Sequence, residues 1–111
     1  MAVVNQYKFY GVDDNTTGSA LTMFGSGNPT NTETYIIKSI KVTSAGTPTV
    51  TVVNNSITAI KSAALTANVT TELLTMPMVV EGGNSLTVQS SSSDSFDVAI
   101  SYLNINKEIV S

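Results

Sequence analysis

The chain predicts an all-β domain, an antiparallel β-sandwich of jelly-roll or Ig-like type with about seven or eight strands. Three observations lead there. Charged residues are only 12% of the 111. Their place is taken by Thr, Val and Ile, which suit a pleated, half-buried surface, and by Asn, Ser and Gly, which suit turns. Apolar and polar side chains alternate through Leu86 and Val88, and again through Phe96, Val98, Ile100 and Tyr102, so one face of each segment is written for a core. Turn signals recur about every 8–12 residues, too closely for the crossovers of a dozen or more residues that parallel strands need.

The elements can be taken in order. Residues 1–32 are expected to be an N-terminal arm with short strands and loops. Val4, Tyr7 and Phe9 fit a first strand or a terminal arm equally, Asp13–Ser19 has loop composition, Ala20–Phe24 fits a short strand and Gly25–Thr32 a second loop. The sandwich body is expected over residues 33–105. Thr34–Ser44 reads as a long strand with Ile40 and Val42 on one face, continued by Ile36 or, through a bulge, by Ile37. Ala45–Pro48 turns the chain, and Thr49–Val53 directs Val50 and Val52 inward. Asn54-Asn55 tolerates the positive φ of a tight hairpin that returns Ile57–Ser62 antiparallel.

Ala63–Val69 fits a short helix or a small-residue loop. Leu73, Met76, Met78 and Val80 lead to the turn Glu81-Gly82-Gly83-Asn84, where two glycines are free to adopt positive φ. Pro77 cannot donate to a ladder and belongs at a strand entry, a bulge or an edge. Ser90–Ser95 turns into the closing strand Phe96–Ile105, and residues 106–111 read as an exposed tail in which Ile109 and Val110 could pack.

This length makes one domain overall, able to bury a core without staples. None are on hand, since there is no cysteine. A net charge of −3 gives no basic footprint for phosphates, so no nucleic-acid partner is expected. The opening residues lack a basic stretch followed by an apolar one, and no apolar run nears the roughly 18 residues of a membrane helix. The expectation is a soluble protein made in the cytoplasm, with no membrane partner.

The sequence is poor in chemistry. Without His and Cys, the usual general base, thiol nucleophile and transition-metal ligands are missing, so no enzyme, cofactor or metal site is expected. Lys38 and Lys41 fit solvent-facing positions on a strand. Asp13-Asp14-Asn15 could offer oxygens to Ca²⁺, but lacks the alternating spacing and the distant bidentate Glu; turn residues bonding their own backbone are the simpler reading. Asp94 and Asp97 fit a solvated strand entry. The sequons at Asn15, Asn54 and Asn68 are what chance supplies in an Asn- and Thr-rich chain. Phe96 and Tyr102 fall on the core face. Tyr7, Phe9 and Tyr10, clustered on an arm, are the candidate partner-binding residues.

Three segments carry a resemblance. Tyr35-Ile36-Ile37-Lys38-Ser39-Ile40-Lys41-Val42-Thr43, then Glu72-Leu73-Leu74 with Pro77–Leu86, then Asp97-Val98-Ala99-Ile100-Ser101-Tyr102-Leu103 together resemble small structural proteins of tailed-bacteriophage virions. In that group an Asp is usual where Asn84 stands, and Pro-Ala-Gly where Pro29-Thr30-Asn31 stands. The resemblance spans residues 33–105 and leaves 1–32 unmatched. It implies a virion component, first a decoration (cement) protein that stabilises the particle by binding the capsid surface. Its alternatives are a head–tail or tail accessory protein, or the receptor- or glycan-binding module of a tail fibre. The implied partners are the major capsid protein or other virion proteins, and the implied location is the virion. The scarcity of surface charge separately predicts that edges and faces are covered by copies of the chain (a homo-oligomer, for which a trimer fits) or by a partner in a lattice, because exposed strand edges ordinarily carry charge as protection.

Overall fold

The computed structural model describes residues 2–16, 18–25 and 29–108. Nine strands form: β1 (Ala2–Asn15), β2 (Leu21–Phe24), β3 (Glu33–Ser44), β4 (Thr49–Asn54), β5 (Ile57–Ala64), β6 (Thr71–Glu72), β7 (Met78–Glu81), β8 (Leu86–Ser90) and β9 (Phe96–Glu108). No helix occurs among the described residues, hence none long and apolar enough to cross a membrane. Every pairing is antiparallel. One sheet, A, runs β1-β9-β3 with β6 and β7 both on the far edge of β3; the other, B, runs β2-β8-β4-β5. If β6 and β7 count as one interrupted strand, each sheet has four positions. The chain then visits them in the order of a jelly roll.

The inward alternation is as expected. Ile37, Ile40 and Val42 of β3, Val50 and Val52 of β4, Leu86 and Val88 of β8, and Phe96, Val98, Ile100 and Tyr102 of β9 all lie in one buried cluster with Val80. Ile37, Ile40, Val42, Val50, Val52, Val80, Leu86, Val88 and Ile100 have no exposed surface. Each such side chain contributes about 1.5–3 kcal/mol relative to exposure. The two open readings of the long strand resolve to the bulge, because pairing of β3 with β9 shifts between Ile37 and Ser39. That shift lets Ile37 and Ile40, three apart, share the inner face.

Turns follow their residues. The β4–β5 hairpin has positive φ at Asn55 (51°) and Ser56 (63°), one position later than the Asn54-Asn55 of the sequence. Asn54 instead spends its amide on the Val79 carbonyl at 2.8 Å. Pro77 stands immediately before β7, where its missing N–H costs no ladder bond. In the β7–β8 turn Gly83 takes φ 81° and donates to the Pro29 carbonyl at 3.1 Å. Gly82 is needed for a different reason: a Cβ there would sit 2.4 Å from the Thr30 carbonyl oxygen. The turn thus clamps the β2–β3 loop. At the opposite end the β3–β4 and β8–β9 corners meet through Ala45 N–H to the Ser95 carbonyl, 3.0 Å.

Several expectations are corrected. Residues 2–15 are not an arm but a full strand, paired with β9 from Ala2 opposite Glu108 to Val12 opposite Val98. The loop expected at Asp13 therefore begins later, after a bulge between Val12 and Asn15. The first part of Ala63–Val69 continues β5 to Ala64, and no helix follows. The tail starts later too, since Asn106–Glu108 belong to β9; Ile109 and Val110 lie outside the described residues. At about 3.3 Å per residue β1 spans some 46 Å, which accounts for a body of 52 × 22 × 21 Å.

Candidate interaction surface

The register of sheet A places residues in transverse rows, and side chains opposite one another share a face. Inside, Tyr10 faces Ile100 and Ile40, and Lys8 faces Tyr102 and Ile37. Outside, the row Tyr7–Leu103–Ile36–Val79 crosses four strands with only apolar or aromatic members. Tyr7 is 80% exposed and Val79 47%; Leu103 and Ile36 between them are half-buried. Phe9, 69% exposed, stands one row on. Sheet A therefore has an inner face packed on sheet B and an outer face that is crossed by one uncovered apolar row among polar neighbours.

The three candidate residues do not form one cluster. Tyr7 and Phe9 lie on the outer face. Tyr10 turns inward to Phe24, with ring centroids 6.0 Å apart. Phe24 also meets Tyr35 and Tyr102 edge-on at 4.9 Å each. With Lys8, these rings line a cleft of about 420 Å³ at the seam between β1 and β2. Sequence reasoning missed Ile36, Val79 and Leu103. A signal for them exists in the doublets Ile36-Ile37, Val79-Val80 and Tyr102-Leu103, each supplying one side chain to each face. An alternating strand offers one apolar face, whereas consecutive apolar residues offer two.

Two carboxylates organise the edges of this sheet. Glu72 sits where the edge pairing of β3 is broken between β7 and β6, beside the bulge. It accepts hydrogen bonds from the Ser39 hydroxyl, the Ile40 N–H at 2.8 Å and the Leu74 N–H at 3.3 Å. Partial burial pushes its pKa up, but these bonds and the nearby Lys41 outweigh it and hold the carboxyl below the usual range. Glu33 accepts from the Thr30 N–H at 3.0 Å and the Asn104 amide at 2.7 Å. The backbone bond from Thr30 is the main reason its pKa is lowered; partial burial opposes it and Asn104 assists. Burial, reinforced by Glu33 and Tyr102, raises Tyr35 to about 12, and burial raises Tyr102 as well.

The signs define a window of stability. A lowered carboxyl stabilises the fold above its unfolded pKa and loses that contribution as pH falls through the folded value. A raised phenol stabilises it below its unfolded pKa, about 10, and loses that as pH rises toward the folded value. Melting temperature measured across pH is expected to fall below about pH 4.3 and above about pH 10. Glu72→Gln should flatten part of the acid limb and Tyr35→Phe part of the alkaline limb. Unchanged limbs in both variants would contradict these assignments.

Other candidates are accounted for. Lys38 and Lys41 are exposed, as are Asp94 and Asp97. Asp94 accepts from the Ser92 hydroxyl at 3.0 Å in the β8–β9 turn. Its carboxylate fills the space beside Gly46, where a Cβ would lie 2.1 Å from Oδ2. Among the described residues no three acidic side chains are grouped to hold a metal ion.

No family model matches this chain, and no curated protein matches it. Among solved structures it is similar to a chain from a Bacillus structure titled "Bacillus endospore appendages form a novel family of disulfide-linked pili". The two are 12% identical, the match covers 96% of this chain and 89% of the other, and the TM-score is 0.53. At that identity the likeness concerns the fold.

Proposed function

We propose that this chain is a structural subunit of a virion, a decoration protein that docks on the capsid through the outer face of sheet A. The carrying observation is the uncovered row Tyr7–Leu103–Ile36–Val79, with Tyr7 largely and Val79 about half exposed. Contiguous apolar surface on a small domain favours burial against a partner. The three segments that resemble phage virion proteins support this reading. Residues 35–43 lie in β3, 77–86 span β7 and its turn, and 97–103 lie in β9; β7, β3 and β9 are neighbours in sheet A. The resemblance thus falls on the sheet that bears the row.

The pilus title of the solved neighbour accords with a subunit built for assembly. Linkage by disulfides is closed to these 111 residues, which contain no cysteine. A tail or head–tail accessory role would use the same face on a different partner. The test is incorporation. Tyr7→Lys with Val79→Lys should leave folding intact, since both positions are exposed, and should deplete the chain from purified particles of the virus encoding it. Cryo-EM of those particles should place sheet A against the capsid. Undiminished occupancy of the double variant, or density on the tail alone, would sink the capsid assignment.

A further inference from the structure

The outer face of sheet A has a second feature, four residues along β9 from Leu103 and so about 13 Å away. Gly11 pairs with Ala99, and Ala99 with Lys41. This row begins with two of the smallest side chains and ends in an ammonium group. The result is a trough of about 450 Å³, flanked by Phe9 on one side and by Asp97 and Thr43 on the other. Gly11 needs no glycine-only backbone. What it provides is room: a Cβ there would lie 3.3 Å from two atoms of the Phe9 ring and 3.2 Å from the Val98 carbonyl. The ring therefore lies down over Gly11, beside the open floor.

We infer that this trough is a subsite for one pyranose unit of a saccharide. A pyranose has a face of C–H groups and a rim of hydroxyls. The floor of Gly11 and Ala99 and the π-surface of Phe9 match the first; an aromatic face is electron-rich and attracts C–H groups. The rim groups match the second, since carboxylate oxygens accept, Lys41 donates, and Thr43 can do either. Thr43 is held in place by a 2.8 Å hydrogen bond between its hydroxyl and that of Thr70. Asp13 also borders the trough, so carboxylates outnumber ammonium groups there. A phosphate or sulfate group is disfavoured there relative to an uncharged hydroxyl or an amine, so among saccharides a neutral or amino sugar is the class that fits. The inference does not rest on the virion reading, because the free protein should show it.

The experiment is a titration of the ¹⁵N-labelled protein with four probes taken singly: the methyl glycosides of glucose, galactose, N-acetylglucosamine and glucosamine. At least one should shift the amide signals of Gly11, Thr43 and Ala99 in a saturable way. Phe9→Ala removes the platform and Ala99→Val fills the floor; both are outer-face changes expected to keep the fold, checked by circular dichroism. Each should weaken binding about tenfold or more, the loss of roughly 1.4 kcal/mol. The inference is overturned if none of the four probes moves these signals. It is equally overturned if Ala99→Val binds as well as the parent chain, or if a lysine-rich peptide moves the signals and no sugar does.

Discussion

Phe96→Ala is expected to lower the free energy of unfolding by about 3–5 kcal/mol, as buried Phe-to-Ala changes do. Phe96 is 1% exposed and heads the fully buried side chains by size. It opens β9 opposite Ser44 of β3 and Asn15 of β1, where the β8–β9 corner enters the sandwich. A cavity there is walled by strands of both sheets, which cannot collapse independently. Chemical denaturation should show the midpoint drop with the slope unchanged, because the same surface is exposed on unfolding. A loss under about 1 kcal/mol would mean that this end of the sandwich repacks freely.

The second large effect concerns β1. A chain beginning at Asp13 is expected to melt on the order of 10 °C lower, equivalent to about 2 kcal/mol for a domain of this size. It is also expected to associate on heating. Deletion removes the ladder from Ala2 to Val12, the contact of Tyr10 with Phe24 and the packing of Val12 on the core. It also turns the 13-residue β9 into an edge strand. β9 carries apolar side chains on both faces and so makes a template for unwanted pairing. Thermal melts with light scattering report both changes; a truncated chain as stable and monomeric as the parent would show that β1 is dispensable to the fold. Deletion of these residues would accordingly disturb the domain itself, so point substitutions on the outer face are the cleaner probe of docking.

These two regions also show where the sequence was legible. Phe96, Val98, Ile100 and Tyr102 alternate against polar neighbours because one face of β9 meets sheet B, and that is the condition under which period-2 reading succeeds. The bulge at Lys38 is one of two options that the sequence leaves open, since Ile37 and Ile40 cannot share a face without it. β1 was ambiguous for the converse reason. At Lys8, Tyr10 and Val12, three of its inward positions, only Val12 is a partly buried neighbour of the core cluster, while Tyr10 meets the rim of that cluster at Phe24 and stays 40% exposed. The strand is held by its ladder to β9, and ladder bonds are made by backbone that every residue carries alike. The split of Tyr7 and Phe9 from Tyr10 follows from strand parity, which holds only for a paired strand and not for an arm. The outer row is hidden in the sequence because one residue of each apolar doublet suffices to build the core, and the local pattern does not say where the other points.

The register of Ala2 with Glu108 brings the first and last described residues side by side. Strand neighbours are about 5 Å apart, so a short flexible linker could join them. A circularly permuted chain could then open at Asn55-Ser56, in the hairpin turn far from that junction in the sequence. The same adjacency puts the start of β1 and the end of β9 at one tip of the sandwich. A label or cargo attached at Ala2 would sit beside Glu108, and the opposite tip, with the β3–β4 and β8–β9 corners, would stay clear for engineering.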